Sequence, residues 1–376
     1  MRYVGNRVSE TLLPRVRHPS QYIGLEANAR RKDVESAEVS VALAFPDTYS
    51  IGISHLGGQL LYHMLNGAEA VACDRTYCPL PDAEQVMRAE GIPLFGWESR
   101  RAVADFDVLG FSLPYELCVT NVLTMLDLAG LPIRAADREE GHPIVLGGDA
   151  LADSPEPLAP FFDLFVVGDG EEPLARFVER LRRMKRAGAG REEVVLEAAR
   201  RIPSVYAPCF YETCRPTGAP LDVPRPIRDD VPEVIQRAHV ADLGDSPAIT
   251  APLVPVSEGV HERVVIEVMR GCPNGCRFCQ AGHARLPVRW RSIDEIMHIA
   301  RKALAATGYD EISLLSLSTS DYPHLDQLID RLTAEFASRH VSISLPSLRV
   351  DAQLKHLPRL TSGVRKGGLT IAAEAG

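Results

Sequence analysis

The chain has 376 residues, of which 45% are hydrophobic and 24% charged, the make-up of an ordinary globular protein of two or three domains. That composition excludes wholesale disorder, a collagen-like repeat and a long coiled coil, and no apolar run of ~18 residues marks a membrane span. Forty-one basic against 50 acidic residues give a net charge of -9, which excludes nucleic-acid binding through a general basic field but leaves room for a local groove near Arg285, Arg289 and Arg291.

Residues 1–38 are polar, rich in Arg and Glu, and read as an N-terminal arm. They lack the continuous apolar core of a signal peptide, so a cytoplasmic chain is expected. In that reducing setting grouped cysteines bind metal or do redox work more often than they form disulfides. From Val39 strands alternate with helices. Val39 to Phe45 is a strand, and His55-Leu56-Gly57-Gly58 opens a helix with Leu60, Leu61, Met64 and Leu65 on one face. Ala68 to Ala72 reads as the second strand and Asp82 to Glu90 as a short helix. A third strand over Phe106 to Leu113 leads into a helix from Glu116 to Ala129. Pro143 to Leu146, closed by Gly147-Gly148, and Leu164 to Val167, closed by Gly168-Asp169-Gly170, are the next two strands. The helix from Glu171 starts in acids (Glu171 and Glu172, with Asp169 before them). It ends in Arg182, Arg183, Lys185 and Arg186, the arrangement that suits a helix dipole, so the basic run reads as a solvated helix end.

This alternation predicts a doubly wound, Rossmann-like α/β domain over 39–202. Ligands of such sheets sit at the carboxyl ends of the strands. His55, Gly58, Ser112, Gly147 and Gly148 collect there and are the candidate binding residues. Residues 203–260 carry Pro216, Pro220, Pro224, Pro226 and Pro232 and read as an extended linker, with Val205-Tyr206 and Phe210-Tyr211 as candidate edge strands. A second βα series occupies 261–376: a strand over Arg263 to Val268 and a cysteine loop, then a helix capped by Ser292 and Glu295. It continues with a strand over Glu311 to Leu317, a helix from His324 to Ala337, and strands at Val341 to Leu345 and Leu369 to Ala373.

The loop Arg270-Gly-Cys272-Pro-Asn-Gly-Cys276-Arg-Phe-Cys279 carries the chemistry. Three thiolates can hold three irons of a cubane cluster and leave the fourth iron open. A structural zinc site would require a fourth ligand, for which His283 is the candidate. The C-x3-C-x-aromatic-C pattern after a strand resembles the radical S-adenosylmethionine (SAM) superfamily. The run from Val264 to Gly282, with Pro287-Val288-Arg289, is similar to a group that joins a cobalamin-binding-like domain to a radical SAM barrel. The likeness extends from Tyr22-Ile23-Gly24 to the end of the chain.

That resemblance implies a [4Fe-4S] cluster on Cys272, Cys276 and Cys279, and SAM on the open iron, cleaved reductively to a 5′-deoxyadenosyl radical. It implies SAM contacts from Phe278, Ser316, Ser318, Ser347, Arg349, Asp351 and Glu374. Leu317-Ser318-Thr319-Ser320 replaces the Gly-Gly-Glu usual after the second strand of these barrels. It implies an electron donor such as flavodoxin or ferredoxin, and leaves cobalamin as a candidate second cofactor. Cobalamin domains often carry Asp-x-His-x-x-Gly; His55 and Gly58 keep the His-x-x-Gly spacing, while Ile53 stands at the Asp position. Two other readings stay open. One is a methylthiotransferase-like modification of RNA or protein, which would use further cysteines such as Cys73, Cys78 and Cys118. The other is a non-catalytic, metal-stabilised binding module. A radical SAM TIM-like partial barrel has roughly six βα units, and four strands are legible after Val260. The barrel is therefore expected to be incomplete, lacking its C-terminal strands and any further domain, with the edge of its last strand unpaired.

Overall fold

The computed structural model describes residues 1–346 apart from 216, 219, 220 and 258. The expected strand at Leu369 to Ala373, and Ser347, Arg349, Asp351 and Glu374, lie outside the described residues. Two compact units form, one from residues 1–25 with 29–239 and the other from residues 26–28 with those from 240 on.

The first unit is built on a six-stranded sheet. Its strands and helices in chain order are β1 (Val39–Phe45), α1 (Leu56–Gly67), β2 (Val71–Tyr77), α2 (Pro81–Glu90), β3 (Val108–Ser112), α3 (Val119–Ala129), β4 (Ile144–Gly148), β5 (Leu164–Val166), α4 (Glu171–Arg186), α5 (Arg191–Arg201) and β6 (Val205–Tyr206). The sheet order is β2-β1-β3-β4-β5-β6. The first five strands run parallel, with Val39 opposite Val71 and Val41 opposite Val108. Val205–Tyr206 closes the sheet as an antiparallel edge strand against β5. A 2-1-3-4-5 order places the topological switch, where connections leave to opposite sides, between β1 and β3.

β2 lies further along the chain than its sequence suggests. Residues 68–70 are a turn, and the strand runs through Asp74, Arg75 and Thr76 with every residue buried. The charges hid it. Asp74 accepts from the Ser99 backbone N–H at 2.9 Å and from the Ser99 hydroxyl. Arg75 pairs with Glu98 at 2.6 Å, the two side chains only 5% and 1% exposed. A charged side chain tolerates such burial only with a partner this close. Helix α5 also escaped the sequence reading, because six of its eleven residues are charged, three of them Arg. Its Val194, Val195, Ala198 and Ala199 nevertheless face the core.

The N-terminal residues are more than a polar arm. Val8 and Leu12, four apart on one helical face, are fully buried. The Trp97 indole donates to the Gln21 carbonyl at 2.8 Å, and Leu80 N–H donates to the Tyr22 hydroxyl at 3.0 Å. The basic end of α4 is paired, with Arg186 on Glu38 at 2.5 Å and Lys185 on Asp107 at 2.6 Å. Within the Pro-rich segment Tyr211–Cys214 (β7) and Val223–Pro226 (β8) form an antiparallel hairpin.

In the second unit β9 (Val264–Glu267), β12 (Glu311–Leu315) and β13 (Ser342–Ser344) make a parallel sheet in the order β13-β12-β9. A small antiparallel hairpin, β10 (Met269–Arg270) with β11 (Arg289–Trp290), follows β9. Helix α6 (Gln280–Ala284) lies inside that hairpin's loop, and α7 (Ile293–Thr307) and α8 (Leu325–Phe336) cover the sheet. Ser292 and Glu295 cap α7 reciprocally, the Ser292 hydroxyl accepting from Glu295 N–H at 3.3 Å and the Glu295 carboxylate from Ser292 N–H at 2.9 Å. The core between helices and sheet is made of Val264, Ile266, Ile296, Met297, Ile312, Leu314, Leu328 and Phe336. It fixes β9 and β12, and so the loops at their carboxyl ends.

Candidate functional site

Two candidate ligand edges result, one in each unit. In the second, β10 and β11 pinch the chain into a closed loop over residues 271–288, Met269 lying opposite Trp290 and Arg270 opposite Arg289. Gly271 starts that loop at φ +86, and an added Cβ would fall 2.7 Å from the Arg285 carbonyl oxygen. Only glycine lets the two ends of the loop approach so closely. Cys272, Cys276 and Cys279 are all half-buried free thiols.

Two of the three sulfurs receive hydrogen bonds from the chain itself. Cys279 is the N-cap of α6, and its sulfur accepts from Gly282 N–H at 3.3 Å. The Cys272 sulfur accepts from the side-chain amide of Asn274 at 3.5 Å. N–H···S bonds of this kind are the contacts that sulfurs around an iron–sulfur cluster receive. His283 does not turn toward the thiols; its Nε2 sits 3.1 Å from the Cys276 carbonyl oxygen. Among the described residues no three His, Cys, Asp or Glu side chains converge on one point as a single metal ion requires. Three thiols on a short closed loop leave one iron of a cubane cluster open, whereas a structural zinc site takes a fourth protein ligand.

Around this loop Phe278 is 71% exposed, an apolar ring presented to solvent. Ser316 and Ser318 are buried beyond the end of β12, where Ser316 bonds the Thr319 hydroxyl at 2.9 Å and Ser318 donates to Asp321 at 2.6 Å. Both hydroxyl donors are used within their own turn. Asp321 and Asn274 are the residues that sequence reasoning missed here. Nothing in the sequence separates Asp321 from an ordinary helix-start acid, and only the fold brings it within 2.5 Å of Asn274, 47 positions away.

In the first unit the carboxyl edge is organised around the β1/β3 switch. Asp47 follows β1 and accepts from the Tyr115 hydroxyl beyond β3. Burial and that carboxylate together raise the Tyr115 pKa well above its ordinary value, so the phenol stays protonated and donates. His55 is the N-cap of α1. Its Nδ1 accepts from Gly58 N–H at 3.0 Å, which puts the ring proton on Nε2. Nε2 faces Asp149 Oδ2 at 3.3 Å. Asp149, from the loop after β4, thus contacts the ring at the nitrogen that Gly58 leaves. Asp149 holds a backbone conformation of φ 78, ψ -159 that is nearly exclusive to glycine and costs of order 1–3 kcal/mol.

The remaining candidates differ in kind. Ser112 ends β3 half-buried at this edge. Gly147 is a packing residue, because a Cβ there would press on the Phe165 ring at 2.8 Å and on Leu113 at 3.0 Å. At Gly148 a Cβ would meet nothing nearer than the Val166 carbonyl oxygen at 4.0 Å. The other cysteines of this unit do not form a second thiolate set. Cys73 is fully buried and its pKa is pushed up by desolvation. Burial pushes Cys78 up to about 12 and raises Cys118, whose sulfur donates to the Tyr115 carbonyl at 2.8 Å. A surface cleft lined by Lys32, Glu38, Glu69 and Arg182 opens at the opposite, amino-terminal edge of the sheet. Arg182 pairs there with Glu38 at 3.4 Å, and Lys32 Nζ donates to the Ala68 and Val71 carbonyls.

Residues 57–208 match the family model for radical SAM proteins, N-terminal, and residues 266–368 match that of the radical SAM superfamily. An uncharacterised protein of Methanocaldococcus jannaschii is 24% identical over 345 residues, 90% of this chain and 61% of that protein. This chain therefore spans about three fifths of that relative. A tRNA-2-methylthio-N(6)-dimethylallyladenosine synthase of Phocaeicola vulgatus is 30% identical over 98 residues, 26% of this chain and 21% of that enzyme. The fold is similar to that of TsrM from Kitasatospora setae, a radical SAM methyltransferase solved with cobalamin and a [4Fe-4S] cluster. The TM-score is 0.52 at 13% identity, over 89% of this chain and 58% of that one. It is also similar to OxsB, a cobalamin-dependent SAM radical enzyme solved with aqua-cobalamin and SAM (TM-score 0.50, 13% identity, 82% of this chain and 38% of that one).

Proposed function

Since this chain belongs to the radical SAM superfamily, we propose that it binds a [4Fe-4S] cluster through Cys272, Cys276 and Cys279, cleaves SAM reductively, and modifies a substrate with the help of a corrinoid held by the first unit. The single observation that carries this reading is the closed loop with three free thiols, two of them already accepting N–H bonds from Gly282 and Asn274. The cluster and SAM, when bound, supply the electron transfer and the organic radical. The chain supplies placement. Gly271 and the β10–β11 hairpin set the loop, and the half-buried position of the thiols limits water around them. Phe278 offers an exposed apolar face for an adenine ring, and Ser347, Arg349, Asp351 and Glu374 complete the proposed SAM contacts. The electron comes from a small redox protein of the flavodoxin or ferredoxin class.

The corrinoid half of the proposal rests on the carboxyl edge of a 2-1-3-4-5 sheet, the edge that carries Ser112, Gly148 and His55 and at whose switch point such sheets bind ligands. The residues fit a corrinoid that takes no imidazole from this chain, because both ring nitrogens of His55 are engaged, by Gly58 and by Asp149. A methylthiotransferase-like second cluster finds no support in Cys73, Cys78 and Cys118, which desolvation keeps as thiols. A zinc-stabilised binding module would need His283 to leave the Cys276 carbonyl.

The test is anaerobic reconstitution with iron and sulfide, followed by SAM and a low-potential reductant. Brown protein that forms 5′-deoxyadenosine is expected, and retention of hydroxocobalamin through gel filtration reports on the first unit. Colourless, iron-free protein after reconstitution would refute the cluster assignment, and a cluster-loaded protein that leaves SAM intact would refute the activity.

A further inference from the structure

We infer that Asp321 is a positioning residue for the cysteine loop, acting through Asn274 to keep an N–H donor on the Cys272 sulfur and thereby to raise the reduction potential of the cluster held there. The inference rests on the cluster reading above. Its geometry is local to one unit. Asn274 Nδ2 lies 2.5 Å from Asp321 Oδ2 and 3.5 Å from Cys272 Sγ. A side-chain amide nitrogen carries two hydrogens, enough for one bond to each. The amide could present either its NH2 or its carbonyl oxygen to the sulfur. A carboxylate accepts only, so the group facing Asp321 must be the NH2, and the same nitrogen then faces Cys272. Asp321 is itself held by the Ser318 hydroxyl at 2.6 Å, at the start of the turn Thr319–Asp321 that follows β12. The end of β12 therefore decides the polarity of a contact in a loop that follows β9.

Hydrogen bonds to cluster sulfurs set reduction potential, because they stabilise the extra negative charge of the reduced form. Two mechanisms then predict opposite signs. If Asp321 acted through its own negative charge, removing it would make the cluster easier to reduce and raise the potential. If it acts through Asn274, removing it frees the amide, loses the N–H···S bond and lowers the potential.

The experiment is a redox titration of the reconstituted cluster, followed by electron paramagnetic resonance, on the wild type, Asp321→Ala, Asn274→Ala and the double variant. The expected result is a potential shifted negative in Asp321→Ala, a shift of the same sign in Asn274→Ala, and no further shift in the double variant. A positive or absent shift in Asp321→Ala, or additive shifts in the double variant, overturns the inference. Asp321→Asn keeps an acceptor for Asn274 without the charge, so its potential should not fall below that of the wild type; a fall overturns the inference even if Asp321→Ala does not fold. Iron and sulfide content separates the two levels: a wild type without a cluster sinks the cluster reading, whereas clusters of unchanged potential sink only the role of Asp321.

Discussion

The two ligand edges solve opposite problems. At the carboxyl edge of the first sheet the polar side chains hold one another: Asp47 holds Tyr115, Asp149 holds His55, and beneath them Glu98 holds Arg75. At the cysteine loop two of the three thiols accept weak N–H bonds, and all three are free cysteines with no disulfide. A side chain already satisfied by the protein is available to a ligand only after it gives up a bond. A thiol that accepts N–H bonds is prepared for an external metal. The first edge is internally satisfied, and the second presents free thiols.

Four measurements test that contrast. The largest effect belongs to the loop. Cys272→Ala should reduce the iron retained after anaerobic reconstitution to background and abolish 5′-deoxyadenosine formation, while leaving the circular dichroism of the fold unchanged. Full iron content in that variant would show that the loop does not coordinate in the way its thiols suggest.

Next is the buried pair. Glu98→Ala leaves the Arg75 guanidinium, only 5% exposed, without its carboxylate, and should cost about 3–5 kcal/mol in denaturant unfolding. A loss below about 1 kcal/mol would mean that water replaces the carboxylate and that the interior of the first unit is less dry than its packing indicates.

Asp74 gives a pH-dependent test. Burial, reinforced by the nearby Glu98 carboxylate, raises its pKa to about 7. Its folded-state pKa lies above the unfolded one, so the folded state binds the proton more tightly. Stability from this group is complete at acid pH, declines as pH rises from about 4 to about 7, and stays reduced above that. Asp74→Asn keeps an acceptor for Ser99 and removes the titration. It should flatten the decline and stabilise the protein at pH 8 relative to wild type. An unchanged stability-versus-pH profile would place the proton elsewhere in the Asp74–Glu98 pair.

The smallest effect sharpens the role of His55. As an N-cap, its replacement by Ala should cost about 1 kcal/mol of stability and leave hydroxocobalamin retention intact. Loss of corrinoid binding without loss of stability would make His55 a ligand after all.

Much of the fold was legible in advance. Strands β1, β3, β4 and β5 and helices α1, α2 and α3 lie close to their expected positions, because their apolar periodicity is uninterrupted. β2 and α5 were not, for one physical reason. Asp74 and Arg75 in the strand, and the arginines of the helix, look like surface residues until their partners are known. The same holds for the N-terminal residues, where Val8 and Leu12 are two buried anchors in an otherwise polar stretch.

The cysteine loop was readable because its chemistry is contiguous. Three thiols within eight positions, with Gly271 at the start, need no tertiary information to suggest a cluster. By itself the sequence determined the α/β class, the order of the main elements and the three candidate cluster ligands, all of which depend on local periodicity or on spacing along the chain. Only the tertiary structure decided that Asp149 meets His55, that Asp47 meets Tyr115 and that Asp321 meets Asn274. Those pairs are separated by 47 to 94 positions. A side chain's neighbours across such a distance are set by which strands lie side by side, and sheet order is a property of the packed core rather than of any local run of residues.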